Sequence, residues 1–564
     1  MTRRIPSPLP PRTRLLVLSL AGALVLGGWT PRAAAEEEEA ASDLAVPLHD
    51  RLGTVDYPVS GASELGQKYF DQGLRLVYAF WMSEARRSFD EAARRDDSAM
   101  AHWGRALAYG PYLNQGSPPE SQLETAWEAI TAAKERAASA TPKEQAMIEA
   151  LAARYSEDPA SERAPLDEAY YVKARALAEK YPDDLDLQVL AAAAWMNTTR
   201  WNYWDDEGKP LSEGTDWLVG QLERSLDMDP RHPGAIHYYI HGVEASDDPF
   251  RAVPYARELP GTMPGAAHLV HMGSHILIQT GNYDEAADFN LNAAAVDELY
   301  LGMPDQEGRY PVGSYHHNVH FAWSAAQFEG RSAVALQQAW KLRDKVRIQS
   351  SPNQIAESSR PQFFLSIPLF AQARFGRWDE ILSEPPPRSE YLFETAIWHY
   401  VSGLAHSAKG NRGAAEEHLG QVGAIAGDEN LPGMGRVSAK DMLRIAAKAL
   451  EGDIVSRYED PLKAVPLIEE AIHLQDNLAY TEPPPWYMPM RQTLGAVYLE
   501  AGQPDHAEVA FREDLREWPE NGWSLFGLLE SLRAQGKMTE AERVQRRFLR
   551  AWSRADIVLT SPRF

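Results

Sequence analysis

From about residue 61 to the end, apolar positions recur with a helical period. Segments rich in Ala, Leu, Glu and Arg are separated by Gly, Pro and Asp turns, and few runs alternate with β-branched residues. The pattern predicts an all-α chain. Helices are expected within 120–200, followed by a Trp-rich connection (Trp195, Trp201, Trp204), and over 216–229, stopped by Pro230. Pro385–Pro387 and Pro483–Pro485 predict stiff connections inside one array rather than domain boundaries.

The helices repeat. Gly73 is followed by Ala85, Phe89, Ala92 and Asp97, and Gly495, Ala507, Phe511 and Pro519 keep the leading offsets. Ala541 lies 34 residues after Ala507, with Phe548 seven further on, and Gly403 and Ala415 are again 12 apart. This series resembles the tetratricopeptide repeat, a helix–turn–helix unit in which small residues sit at the helix crossing and an aromatic fills the gap to the next unit. The resemblance implies a right-handed α-solenoid of such repeats. The expected organisation is a signal segment (1–35), an acidic linker (36–60), an N-terminal repeat region (61–200), a central His-rich region (201–345), a further helical region (346–480) and C-terminal repeats (481–564).

Composition narrows the function. The formal charge of −24 becomes −29 once the five arginines before residue 35 are removed. Such a chain is poorly suited to a phosphate backbone or an anionic membrane, and it concentrates cations. There is no cysteine, so thiolate nucleophiles, disulfides, Fe–S clusters and Cys-ligated zinc are excluded. An Arg/Pro-rich start, the apolar run Leu15 to Gly28, and Ala33-Ala34-Ala35 followed by Glu36 predict a cleaved export signal. The protein is expected to be periplasmic or secreted, without a membrane span in its mature form.

Candidate chemistry lies in the histidines. Nine of the 16 fall between His232 and His320. His237 and His241 are four apart, with Glu244 three later; His268, His271 and His275 are spaced three then four; His317 and His320 are three apart. On helices each set shares a face. Ala252, Ala286 and Ala335 read as the small residue opening the second helix of three successive repeats. His237, His271 and His320 each precede their alanine by 15, His241 and His275 by 11, and His268 and His317 by 18. The ladders therefore belong to three neighbouring first helices, expected to line the concave face and to converge. Imidazole binds copper, zinc, iron and nickel. The expected ligands are His237, His241, Glu244, His268, His271, His275, His317 and His320, enough for two ions, with Glu244 as ligand or general base. Copper is favoured over zinc or iron, given export and the absence of thiolates. A redox or hydrolytic enzyme would follow. The zincin motif is absent, because His237-Tyr238-Tyr239-Ile240-His241 lacks its glutamate. The alternative is a scaffold whose groove binds a peptide or partner protein without metal. His232 and His316 fall outside the main offsets; Met263 and Met272 read as core, with soft copper ligands as the alternative; Asp247 and Glu329 read as solvated surface, with acceptors that would orient imidazoles as the alternative.

Five stretches carry a wider resemblance: Tyr69–Gly104, "HYYIHGVEAS" (His237–Ser246), "PGAAHLVHMGSHI" (Pro264–Ile276), "YHHNVHFAWSAAQFEGR" (Tyr315–Arg331) and "EPPPWYMPMRQTLGAVYL" (Glu482–Leu499). Together they resemble a broad group of bacterial tetratricopeptide-repeat proteins of largely unassigned function, over most of the mature chain. The group implies the fold and no reaction. Its members commonly read H-M-P-S-H where this chain has His271-Met272-Gly273-Ser274-His275.

Overall fold

A computed structural model of the chain describes residues 46–205, 207–302 and 312–564. The expected signal segment and its cleavage point near Ala35 lie outside the described residues. The chain divides at Pro47: only the last two residues of Met1–Pro47 are described, and Leu48–Phe564 is one compact unit. Part of the stretch read as linker is packed. Leu52 and Tyr57 are buried, Tyr57 Oη donates to Asp184 Oδ2 (3.3 Å), and the Tyr57 N–H donates to Asp71 Oδ1 (3.0 Å).

Among the described residues there are helices and no strands, only isolated bridges. The helices come as antiparallel pairs, making an all-α solenoid of helical repeats. Glu64–Tyr78 packs on Met82–Asp96, Ala267–Gln279 on Tyr283–Leu301, and Met490–Glu500 on Pro504–Glu517. Local signals set their ends. Ser63 and Ser98 cap helix starts with their hydroxyls, and Thr141 and Glu144 form a reciprocal capping box. The turn inside a pair needs a left-handed residue, supplied by Gly281 (φ 77°) and Gly330 (φ 74°) in the two pairs that matter most below.

The repeat offsets have a physical basis. Phe89, fully buried, sits between Gly73 of its own pair and Gly104 of the next: a Cβ on either glycine would lie 2.7 or 2.2 Å from its ring. Phe511 sits the same way between Gly495 (2.6 Å) and Gly527 (2.2 Å). The glycines let first helices approach closely, and one ring fills the space they leave on both sides.

The array also closes on itself. Trp523 Nε1 donates to the carbonyl of Gln327 (2.9 Å), whose Nε2 donates to the carbonyl of Tyr487 (2.8 Å). The Asp556 carboxylate accepts from the Ser332 and Ala333 N–H groups (2.7 and 2.9 Å), capping the Ser332–Gln349 helix. Arg554 pairs with Asp288 (2.7 Å). The C-terminal repeats thus lie against the central ones and place the 480–489 connection beside them. No helix among the described residues is long and apolar enough to cross a membrane.

Candidate metal centre

Three successive first helices carry the histidines: Pro233–Val243, Ala267–Gln279 and Val312–Phe328, followed by second helices over Val253–Thr262, Tyr283–Leu301 and Ser332–Gln349. Ala252, Ala286 and Ala335 are fully buried at the start of those second helices, as the spacing predicts. The ladders meet. His237, His241 and His268 bring ring nitrogens within 4.8 Å of one another; His271, His275 and His317 form a second triad, and Glu244 with His241 and His275 a third set between them.

Hydrogen bonds on the outer ring nitrogens fix how four of the six imidazoles face. His237 Nδ1 donates to the carbonyl of Tyr78 (2.6 Å). Glu244, which caps the C-terminus of the Pro233–Val243 helix, accepts from His241 Nδ1 with Oε1 (3.1 Å) and from His275 Nδ1 with Oε2 (2.8 Å). His271 Nδ1 faces Asn290 Oδ1 (2.7 Å), and the amide is held that way round because its Nδ2 donates to Ser274 Oγ and to the carbonyl of Ala286, both at 2.7 Å. With Nδ1 protonated, the Nε2 lone pair of each of these four rings points inward.

In the first triad the inward side lacks partners. Nε2 of His237, His241 and His268 is buried with no hydrogen bond. In the second triad, His271 Nε2 lies 2.8 Å from His275 Nε2 and 3.1 Å from His317 Nε2. Tetrahedral zinc with Zn–N bonds of about 2.0–2.1 Å sets its ligand nitrogens about 3.3 Å apart, so a shared ion would need these rings to part by a few tenths of an ångström from their N–H···N hydrogen-bond spacing. Without a cation, protons on His275 and His317 can bridge the second triad, whereas each orphaned buried nitrogen of the first costs about 1–3 kcal/mol. His275 carries such a proton. Burial disfavours its charge, but the Glu482 and Glu244 carboxylates push its pKa up to about 10. Burial holds His237, His268, His271 and His317 well below the usual histidine value, hence neutral and able to act as ligands. Glu244 is held well below the usual carboxylate range, because His241 and His275 outweigh its burial.

The surroundings close the cluster. Phe80 stacks on His241 and His268 (5.9 and 5.6 Å), Trp201 meets His241 edge-on, and Phe321 packs on His271 and His275. The histidines were expected on the concave face; they are largely buried there, since the first helices pack together and the 480–489 connection reaches His275. Glu482 reaches His275 and accepts from Gln279 Nε2 (3.0 Å). Beside His268 opens a cavity of about 690 Å³, walled by Phe80, Trp81, Arg86, Tyr112 and Gln115.

Not every expected residue joins. His320 lies outside both triads: it stacks on Trp323 (5.1 Å) and packs against Phe363 and Phe364. Equal offset does not give equal position at the end of the row. His317 faces the preceding first helix, whereas His320, about one turn on, faces the following one, which offers phenylalanines. Glu244, expected as ligand or general base, has both oxygens turned to Nδ1 atoms. Asp247 pairs with Lys209 and Glu329 with Arg331 (3.1 Å), so neither orients an imidazole. Met263 and Met272 are core. His232 caps its helix, Nδ1 accepting from the Ala235 N–H (3.1 Å), and His316 packs near Phe364. Sequence reasoning missed Asn290, Glu482 and the Tyr78 carbonyl. Only Glu482 left a trace, at the head of the "EPPPWYMPM" stretch.

No protein-family model matches the chain, and no curated protein does. Solved structures are similar at low identity. A human IFIT1 dimer with m7Gppp-AAAA is 12% identical, covering 86% of this chain and 90% of that one, with a TM-score of 0.29. Yeast Tom70 is 12% identical over 85% of this chain and 96% of its own, with a TM-score of 0.30. The TPR domain of P58(IPK) is 12% identical over 84% and 99%, with a TM-score of 0.22. At these scores the likeness carries no argument about ligand or activity, and the fold stands on the helix pairs themselves.

Proposed function

We propose that this helical-repeat chain is a binding scaffold whose ligand is metal. His237, His241 and His268 hold one ion, His271, His275 and His317 a second, and Glu244 orients both sets from between them. One observation carries the reading: the Nδ1 atoms of four rings are engaged by fixed acceptors, while their Nε2 atoms converge on one another or on nothing. Carboxylate or carbonyl on one ring nitrogen and metal on the other is the usual arrangement of histidine ligands. Copper is favoured over zinc or iron, in keeping with an exported chain free of cysteine. Bound metal would supply Lewis-acid or redox chemistry beside the adjoining cavity.

The second reading is a scaffold for a protein or peptide partner, with the histidines as a polar network. The helix-pair architecture supports it without any metal. The net charge of −24 leaves nucleic acid the least favoured ligand in either reading.

Elemental analysis of untagged protein purified without chelator separates the two. Metal near two equivalents, lost in His241→Ala and His275→Ala proteins that keep their helical circular dichroism, is the expected result. Metal-free protein that also takes up no copper, zinc or iron on reconstitution would overturn the metal reading and leave the partner scaffold.

A further inference from the structure

Among the described residues, the cavity beside His268 has one cation without an anion. Arg86 is half-buried in its wall. Its Nε donates to the carbonyl of Ala108 and its Nη2 to Gln122 Oε1, both at 3.0 Å and both neutral oxygens. The guanidinium lies 5.0 Å over the Tyr109 ring. No carboxylate among the described residues lies within ion-pair distance of it, and Nη1 has no hydrogen-bond partner among them. Its charged neighbours are committed elsewhere. Arg87 is held by both oxygens of Glu84 (2.9 Å), and Asp90 by Arg105 and the Tyr109 hydroxyl. Burial pushes the Arg86 pKa down, the sign of a cation whose desolvation is incompletely offset. The walls offer further polar groups: the Ser83 hydroxyl is buried without a partner, and Asn114 and Gln115 line the same space.

We infer that this cavity binds a small hydroxylated organic monocarboxylate, its carboxylate on Arg86 and its hydroxyl groups toward Ser83 and the amide-lined wall, with the far end toward His268. A single unpaired guanidinium, with Asp90 close by, matches one negative charge better than a phosphate dianion, and a guanidinium fork matches carboxylate geometry. The volume is in the range of small-molecule sites, about 300–1,000 Å³. The inference rests on the metal reading for what the cavity serves, and on Arg86 for what it binds.

The test is isothermal titration of acetate, lactate and gluconate, with sorbitol as the uncharged hydroxylated control, into metal-depleted and metal-loaded protein. Gluconate is expected to bind most tightly and sorbitol not measurably. Arg86→Gln should weaken gluconate at least tenfold. Arg86→Lys, which keeps the charge and the packed stem, should weaken it severalfold and serves if the Gln protein fails to fold. Arg87→Gln should leave the affinity within twofold. No binding of any of the three carboxylates, sorbitol binding as well as gluconate, or undiminished affinity in the Arg86 variants would overturn the inference. Carboxylates that bind through Arg86 in a protein that takes up no metal would sink the metal reading and leave this one standing; normal metal loading without carboxylate binding would do the reverse.

Discussion

Asn290 gives the sharpest test of the site's logic. It is fully buried on a second helix and touches no proposed metal position. Its Oδ1 accepts from His271 Nδ1, and its Nδ2 is spent on Ser274 Oγ and the Ala286 carbonyl. Asn290→Leu keeps the branched shape and heavy-atom count, at a somewhat larger volume, and removes all three bonds. The His271 proton is then no longer held on Nδ1, and the ring loses the contact that aims Nε2 at His275 and His317. Loss of such an outer partner typically lowers metal affinity about 10–100-fold. The leucine also strands His271 Nδ1, about 1–3 kcal/mol if unrelieved, whereas the Ser274 hydroxyl keeps its bond to the Ala286 carbonyl (3.3 Å). Ser274→Ala is the control: it removes one amide anchor and leaves the His271 contact. Competition with a chromogenic chelator measures affinity, and urea unfolding monitors the fold. A folded Asn290→Leu protein binding metal within twofold of the parent would refute the claim that outer hydrogen bonds set the inner nitrogens.

Two further predictions concern stability. A Cβ at Gly273 would lie 2.2 Å from the Ala256 carbonyl oxygen and 3.1 Å from the Phe289 ring; Gly273→Ala gains about 1 kcal/mol of helix propensity against overpacking of about 1–3 kcal/mol, so a net loss in urea midpoint is expected, and a gain would mean the helix can shift freely. Burial pushes Asp514 up to about 7, against about 3.9 unfolded, so the folded chain binds the extra proton between those values: the contribution is full below about pH 4 and is lost as pH rises through about 7. Asp514→Asn should therefore flatten the decline in urea-unfolding free energy across that window, and parallel profiles for the two proteins would contradict the assignment.

The sequence and the structure agree best where contacts are local. The Gly73–Phe89 and Gly495–Phe511 offsets are contacts between adjacent helices, so spacing along the chain reports them directly. The same holds for His237 with His241 and for His268, His271 and His275, set by helix periodicity. Register between repeats carried the argument as far as His317 and failed at His320, because the helix that follows offers Phe363 and Phe364. Asn290 was illegible because nothing in a second helix marks an amide that will meet the next imidazole. Glu482 and Arg86 were illegible for a different reason: their significance comes from closure of the array and from a missing counter-charge, and neither leaves a local pattern.

Closure has a consequence for how the site comes into being. The Tyr78 carbonyl that holds His237 and the Glu482 carboxylate that meets His275 are separated by most of the chain. Helix pairs form from neighbours and are fast, low-contact-order events; the histidine cluster is among the most non-local features of the molecule. A chain halted before residue 482 would keep its early hairpins and most of its helical signal, yet lack one wall of the cluster. An ion that binds only the closed array would stabilise that state by mass action. Metal uptake would then act as an end-point check on synthesis and folding, reporting completion of the whole chain where circular dichroism registers only its parts.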